Sequence, residues 1–76
     1  MQFYKGQRVL VPMKGRDPRD NYKQVGEVTF VDVHFPSRWA TVNIGLFPTT
    51  VWDTEATPYN GDMPIGSLIY CGRNCE

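Results

Sequence analysis

The chain is short of almost everything from which an active site is built. Its 76 residues include one histidine, His34, and two cysteines, Cys71 and Cys75, both at the C-terminal end. A structural zinc site wants four ligands, usually as two closely spaced pairs; no second pair is present, so no metal is expected. The C-x-x-x-C spacing is also not the C-x-x-C of dithiol oxidoreductases, which argues against redox chemistry. Two free thiols in a reducing compartment are the default expectation, with a short-range disulfide tying down the tail as the alternative. Gly6, Gly15 and Gly26 are scattered, not gathered into a phosphate-cradling loop. His34 shares a strand face with Asp32, but a catalytic base also needs a nucleophile within reach. The pair reads as solvated, and the chain as a non-enzyme with no catalytic residue and no cofactor.

Long apolar runs are missing too. The first residues hold no apolar stretch of signal-peptide length, and no window approaches a membrane span. A cytoplasmic location without membrane contact is the expectation. Helical periodicity is absent: no window has apolar residues at i, i+3, i+4 and i+7 over three turns, and seven glycines and six prolines interrupt the chain. Net charge is missing as well, since eight basic residues cancel eight acidic ones. That balance argues against a dedicated duplex-DNA binder, which carries a basic excess. The charges are unevenly placed, however. Residues 1 to 38 carry three net positive charges and residues 39 to 76 three net negative ones.

What the chain does have is strand composition, rich in valine, threonine and aromatics. Seventy-six residues make one domain, 1 to 76, with no room for a second core. The organising stretch is residues 25 to 46, two long strands joined by a turn at Pro36-Ser37. Val28 and Phe30 fall on one parity and Val31, Val33 and Phe35 on the other, so a bulge or bend near residues 29 to 31 is needed to keep one apolar face. The return strand sets Ala40, Val42, Ile44 and Leu46 on one face and Trp39, Thr41 and Asn43 on the other, with Gly45 marking a kink.

The flanking segments are shorter. Residues 8 to 12 make a first strand with Val9 and Val11 inward, ended by Pro12 at a sheet edge. Residues 14 to 24 read as a polar loop containing Asp17-Pro18 and Asp20-Asn21, long for so small a domain. Phe47 and Val51-Trp52 belong to a fourth strand in which Pro48 signals an edge, and Trp52 is expected in the core. A wandering connection around Asn60-Gly61 leads to a last strand over residues 67 to 70 and a tail.

Three segments carry a family likeness: Gly6-Gln7-Arg8-Val9-Leu10-Val11, Gly26-Glu27-Val28-Thr29-Phe30-Val31 and Ala40-Thr41-Val42-Asn43-Ile44. With the long first loop and bent second strand, this pattern resembles the SH3-like small β-barrels of KOW and Tudor type over residues 3 to 53. The resemblance implies an all-β, five-stranded barrel with a long first loop and an irregular C-terminal tail. Its ligand classes are proline-rich peptides, modified tails, RNA and other proteins. The chain departs from peptide-binding SH3 domains, having no acidic cluster in the long loop and no paired tryptophans in the turn region.

Two groups of residues are expected to make contacts. Arg16, Arg19, Tyr22 and Lys23, with Lys14, put cations beside an aromatic. That composition suits an acidic protein surface, a nucleic-acid backbone or simple solvation, with Asp17 and Asp20 weighing against nucleic acid. Arg38-Trp39 is the composition of an interface hot spot if Trp39 points outward, or of a lid on the barrel if it does not. Together they suggest a non-catalytic modulator, monomeric or a small homo-oligomer, that binds a host or cellular protein with an acidic surface patch. A self-contained chain of this size suits a phage- or mobile-element-encoded factor, and by the likeness to KOW-type barrels its target is transcription or nucleic-acid-processing machinery. Single-stranded nucleic-acid binding is the alternative.

Overall fold

The alternation of valines builds the first strand. In the computed structural model, which describes residues 2–31 and 38–75, β1 spans Arg8–Met13, and Val9 and Val11 point into the core as expected. It pairs antiparallel with β2, Tyr22–Phe30, in a continuous register from Arg8 opposite Glu27 to Met13 opposite Tyr22. β2 therefore begins three residues before the expected start. Tyr22, Lys23 and Gln24 are strand residues, and the polar loop ends at Asn21 around a 3-10 turn over Pro18–Asp20.

β2 is long because it serves several neighbours. β1 lies along one edge. On the other edge, the first residues of β2 pair with β6 (Leu68–Tyr70) and the last with β3 (Trp39–Asn43). β4 (Pro48–Trp52) lies outside β3, and a two-residue β5 (Thr57–Pro58), absent from the sequence expectation, lies outside β1. The result is all-β: one sheet of six antiparallel strands in the order β4-β3-β2-β1-β5, with β6 attached to β2. Six strands replace the expected five. Among the described residues no ladder joins β4 to β5, so the sheet is not closed on itself. No described helix is long and apolar enough to cross a membrane.

At the point where β2 changes partner stands Gly26, opposite Val9. A methyl group there would run into the side chain of Val42 and come within 3.2 Å of Ile44 Cγ2 and the Asn43 carbonyl. Only a residue without Cβ lets β3 approach so closely. The register then shifts between Val28 and Phe30, the irregularity that the parity change required. Its outcome differs from expectation in one respect. Val28 is buried and Val31 packs against the core, but Phe30 is turned out to 53% exposure.

The core is built of small apolar groups: Val9, Val11, Val28, Ala40, Val42, Ile44, Val51 and Ala56, with Phe3. Ala40, Val42 and Ile44 face inward as the alternation demands, but the pattern stops there. Gly45 adopts φ +103° and its N–H donates to Asn43 Oδ1 at 2.9 Å, a local turn that throws Leu46 out to 85% exposure. Val33, Phe35, the Asp32/His34 pair and the Pro36-Ser37 turn lie outside the described residues.

Gly26→Ala overpacks a site whose neighbours are themselves buried. It is expected to lower stability by about 1–3 kcal/mol, read as a lower urea midpoint at unchanged slope. A melt indistinguishable from the parent would show that β3 has room to retreat.

Candidate functional site

Two surfaces emerge from this topology, at opposite ends of β2. The first lies beyond the bulge. Asp53 N–H donates to the Arg38 carbonyl at 2.6 Å, making that a hydrogen-bonded pair. The next pair inward, Trp39 opposite Trp52, is consequently of the non-hydrogen-bonded kind that holds side chains closest. Pro48, opposite Asn43, occupies another such position, where its missing N–H costs nothing. Phe30 stacks on Trp39 with ring centroids 6.2 Å apart and planes at 30°. Trp39 is half-buried, and Trp52 is 51% exposed. The expectation of Trp52 in the core is thereby corrected: Val51 takes the inward position of β4 and alternation sends Trp52 out.

Arg38 borders this aromatic face. Its Nε stands 3.6 Å from Asp53 Oδ1, a buried oxygen that accepts no hydrogen bond among the described residues. Glu55 caps the turn after β4: its Oε1 accepts from the Trp52 N–H at 3.2 Å, and its own N–H donates to the Trp52 carbonyl at 3.0 Å. Arg38 is paired with Asp53, and Glu55 stands on the turn that follows, so both carboxylates of residues 53 to 55 flank the aromatic face. From Trp39 to Trp52 the chain holds no charged residue.

The second surface is the loop end. Gly15 N–H donates to Asn21 Oδ1 at 3.0 Å, and Asp17 caps the 3-10 turn by accepting from Arg19 N–H at 2.9 Å. The Arg19 guanidinium returns to the same carboxylate, Nε at 3.2 Å and Nη2 at 3.1 Å. Those two side-chain bonds, and after them the backbone N–H, hold the Asp17 carboxyl below its ordinary value. The C-terminal tail docks on this loop, because Cys71 and Gly72 N–H both donate to the Asn21 carbonyl, at 3.2 and 2.9 Å. A second 3-10 turn, Gly72–Asn74, brings the Cys71 and Cys75 Cα atoms to 5.1 Å, and the two are joined in a disulfide. The default of free thiols is corrected; the turn supplies the proximity that the bare spacing leaves open.

Of the expected contact residues, Arg16, Arg19, Tyr22 and Lys23 sit at the loop end, and Arg38 and Trp39 beyond the bulge. Eight strand steps of about 3.3 Å separate Tyr22 from Phe30, roughly 25 Å. One continuous site is therefore not formed. Tyr22 and Lys23 also lie on β2 and not in a loop, with their side chains on opposite faces. Tyr22 faces Tyr70 of β6, ring centroids 5.6 Å apart. Sequence reasoning passed over Phe30, Trp52, Tyr70 and Arg73. Trp52 carries a signal in the sequence, since a strand edge followed by Asp53 and Glu55 is a poor place to bury an indole. Comparison with protein-family models, curated proteins and solved structures finds no match.

The Asp17 cap is made while the carboxylate is ionised and is lost as pH falls through its depressed pKa. An NMR titration is expected to place its midpoint below 3.8, and Arg19→Ala to move it only part of the way back, because the backbone N–H remains. An Asp17 midpoint unmoved by that substitution would dispose of the side-chain bonds as its main cause.

Proposed function

We propose that this protein is a non-catalytic binding module whose working surface is the aromatic face of Phe30, Trp39 and Trp52, and whose partner is another protein. One observation carries the proposal. The largest fully buried side chains are all valines, Val9, Val25, Val28 and Val42, while Phe30, Phe47, Trp52 and Tyr70 face solvent. A small domain normally spends its aromatics on its own core. Here they stand in water, and exposed aromatic clusters of this kind mark interaction surfaces. Trp beside Arg is the composition that dominates binding energy at interfaces.

Charge favours protein over nucleic acid at this face. A single-stranded nucleic-acid platform combines stacking rings with cations that track the backbone. Arg38, next to Trp39 in the chain, is paired with Asp53, and Glu55 adds a second carboxylate on the turn after β4. The partner that fits presents an apolar recess for Trp52. Strand arrangement supports an SH3-like small barrel as the scaffold: a bent β2 flanked by β1 on one edge and by β6 and β3 on the other. On this reading the protein is a modulator of the kind carried by phages or mobile elements, docking on host transcription or nucleic-acid-processing machinery.

The experiment is affinity capture from a host lysate with three baits. A protein retained by the parent chain and by Tyr70→Ala, but lost with Trp52→Ala, is the expected outcome. Its addition to purified parent chain should shift tryptophan emission to the blue, as an exposed indole leaves water. Retention unaffected by Trp52→Ala would move the working surface elsewhere.

A further inference from the structure

We infer that the loop end of the molecule is a second binding site, for the phosphodiester backbone and bases of a single-stranded nucleic acid. This surface is separate from the aromatic face, and the inference does not depend on that reading.

Folding assembles at this end a charge that the sequence spreads over sixty residues. Lys23 points to the opposite face of β2 from Tyr22 and is not part of the cluster, whereas Lys14, Arg16 and Arg19 come from the first loop. Arg73 joins them because the disulfide-closed turn is docked on Asn21; a Cβ added at Gly72 would lie 3.1 Å from the Arg19 carbonyl. Among the described residues Asp17 and Asp20 oppose these four cations locally, leaving two net positive charges on this surface. Asp17 moreover spends its charge on Arg19 alone. Lys14, Arg16 and Arg73 have no ion pair among the described residues. They are the groups able to neutralise phosphates.

The tyrosines distinguish the ligand class. Tyr22 and Tyr70 form a tilted pair, and Tyr70 is 69% exposed. Charge pairing with an acidic protein surface accounts for the cations alone. A single strand uses both, its phosphates on the cations and a base on the ring, and any base can stack because every base has a π-face. Pre-organisation helps. The loop is held by Gly15 to Asn21 Oδ1, Asp17 to Arg19 and the tail's two N–H groups on Asn21, so little ordering is left for binding to impose.

The test is fluorescence anisotropy with an oligothymidylate of about a dozen nucleotides and the full chain. Three phosphate contacts predict a log–log salt slope of about −2, so that affinity falls about twentyfold between about 50 and 200 mM salt. Tyr70→Ala should weaken binding about five- to hundredfold at unchanged slope. Arg73→Ala should flatten the slope by about 0.7. Trp52→Ala should leave all of this as it was, which keeps the two surfaces distinguishable. Tyr70 and Arg73 are exposed, so neither substitution threatens the fold, and unchanged thermal melts would establish that. Absence of binding at low salt, or full affinity retained by Tyr70→Ala, overturns the proposal. Displacement by polyglutamate as readily as by the oligonucleotide overturns it too, and assigns the cations to an acidic protein instead.

Discussion

The rest of this structure depends on β2 being shared. A strand that pairs with β1 along one edge and with both β6 and β3 along the other must let two chains meet at one point without collision. Gly26 makes that meeting sterically feasible, and the register shift between Val28 and Phe30 lets the strand leave it at a different angle. Both surfaces follow from this arrangement. Upstream of Gly26, β6 brings Tyr70 to Tyr22 and carries the tail onto the loop. Downstream, the shift reverses the parity of Phe30 and sets it against Trp39. Filling the crossing point would disturb both ends at once, although neither end touches the glycine.

A valine core has consequences for energetics. Fully burying a valine stabilises by about 1.5–3 kcal/mol, and the domain relies on a handful of such groups plus Phe3. Trp52 is half in water, and covering the remaining area of an indole, on the order of 100 Å², would contribute about 2–3 kcal/mol. That sum is small against the cost of association, so no single ring makes a partner stick. Phe30, Trp39 and Trp52 as a group come closer to what docking requires. Their placement on adjacent strands, with an uncharged hairpin between Trp39 and Trp52, gives an apolar area that a partner can cover without stripping water from ions.

Much of the sheet was legible because period-two alternation is a local property. Val9, Val11, Ala40, Val42 and Ile44 were placed inward from their spacing alone, and the parity break at residues 28 to 31 announced the bulge. The misplacements have two physical causes: size argues for Trp52 in the core where strand alternation turns it out, and alternation argues for Phe30 and Leu46 inside where the bulge and the Asn43–Gly45 turn interrupt it. Polar composition hid the start of β2, since Tyr22, Lys23 and Gln24 read as loop. They are strand residues because Met13, Pro12 and Val11 on one side and Tyr70, Ile69 and Leu68 on the other pair with them. Long-range pairing of that kind leaves no trace in a short window. The same holds for the tail, whose attachment to Asn21 is a contact across fifty residues that no spacing rule reports.

Separation of charge and aromatic area bears on how the molecule can act. A ligand that needed cations and stacked rings together would be served best by a site where they coincide. The fold instead places three cations without an ion pair among the described residues, beside a tyrosine pair, at one end of β2, and the stacked Phe30–Trp39 pair with Trp52 roughly 25 Å along it. A standard interface covers about 800 Å² on each partner, a patch about 30 Å across, so a single partner spanning both ends would leave its centre over β2. There Val25 and Val28 are buried and offer no handle. Two ligands, each matched to the chemistry of its own end, use the surface more fully than one ligand stretched over both. A protein held at the aromatic face and a strand of nucleic acid held at the loop end would then be kept a fixed distance apart by the one element that pairs with everything else.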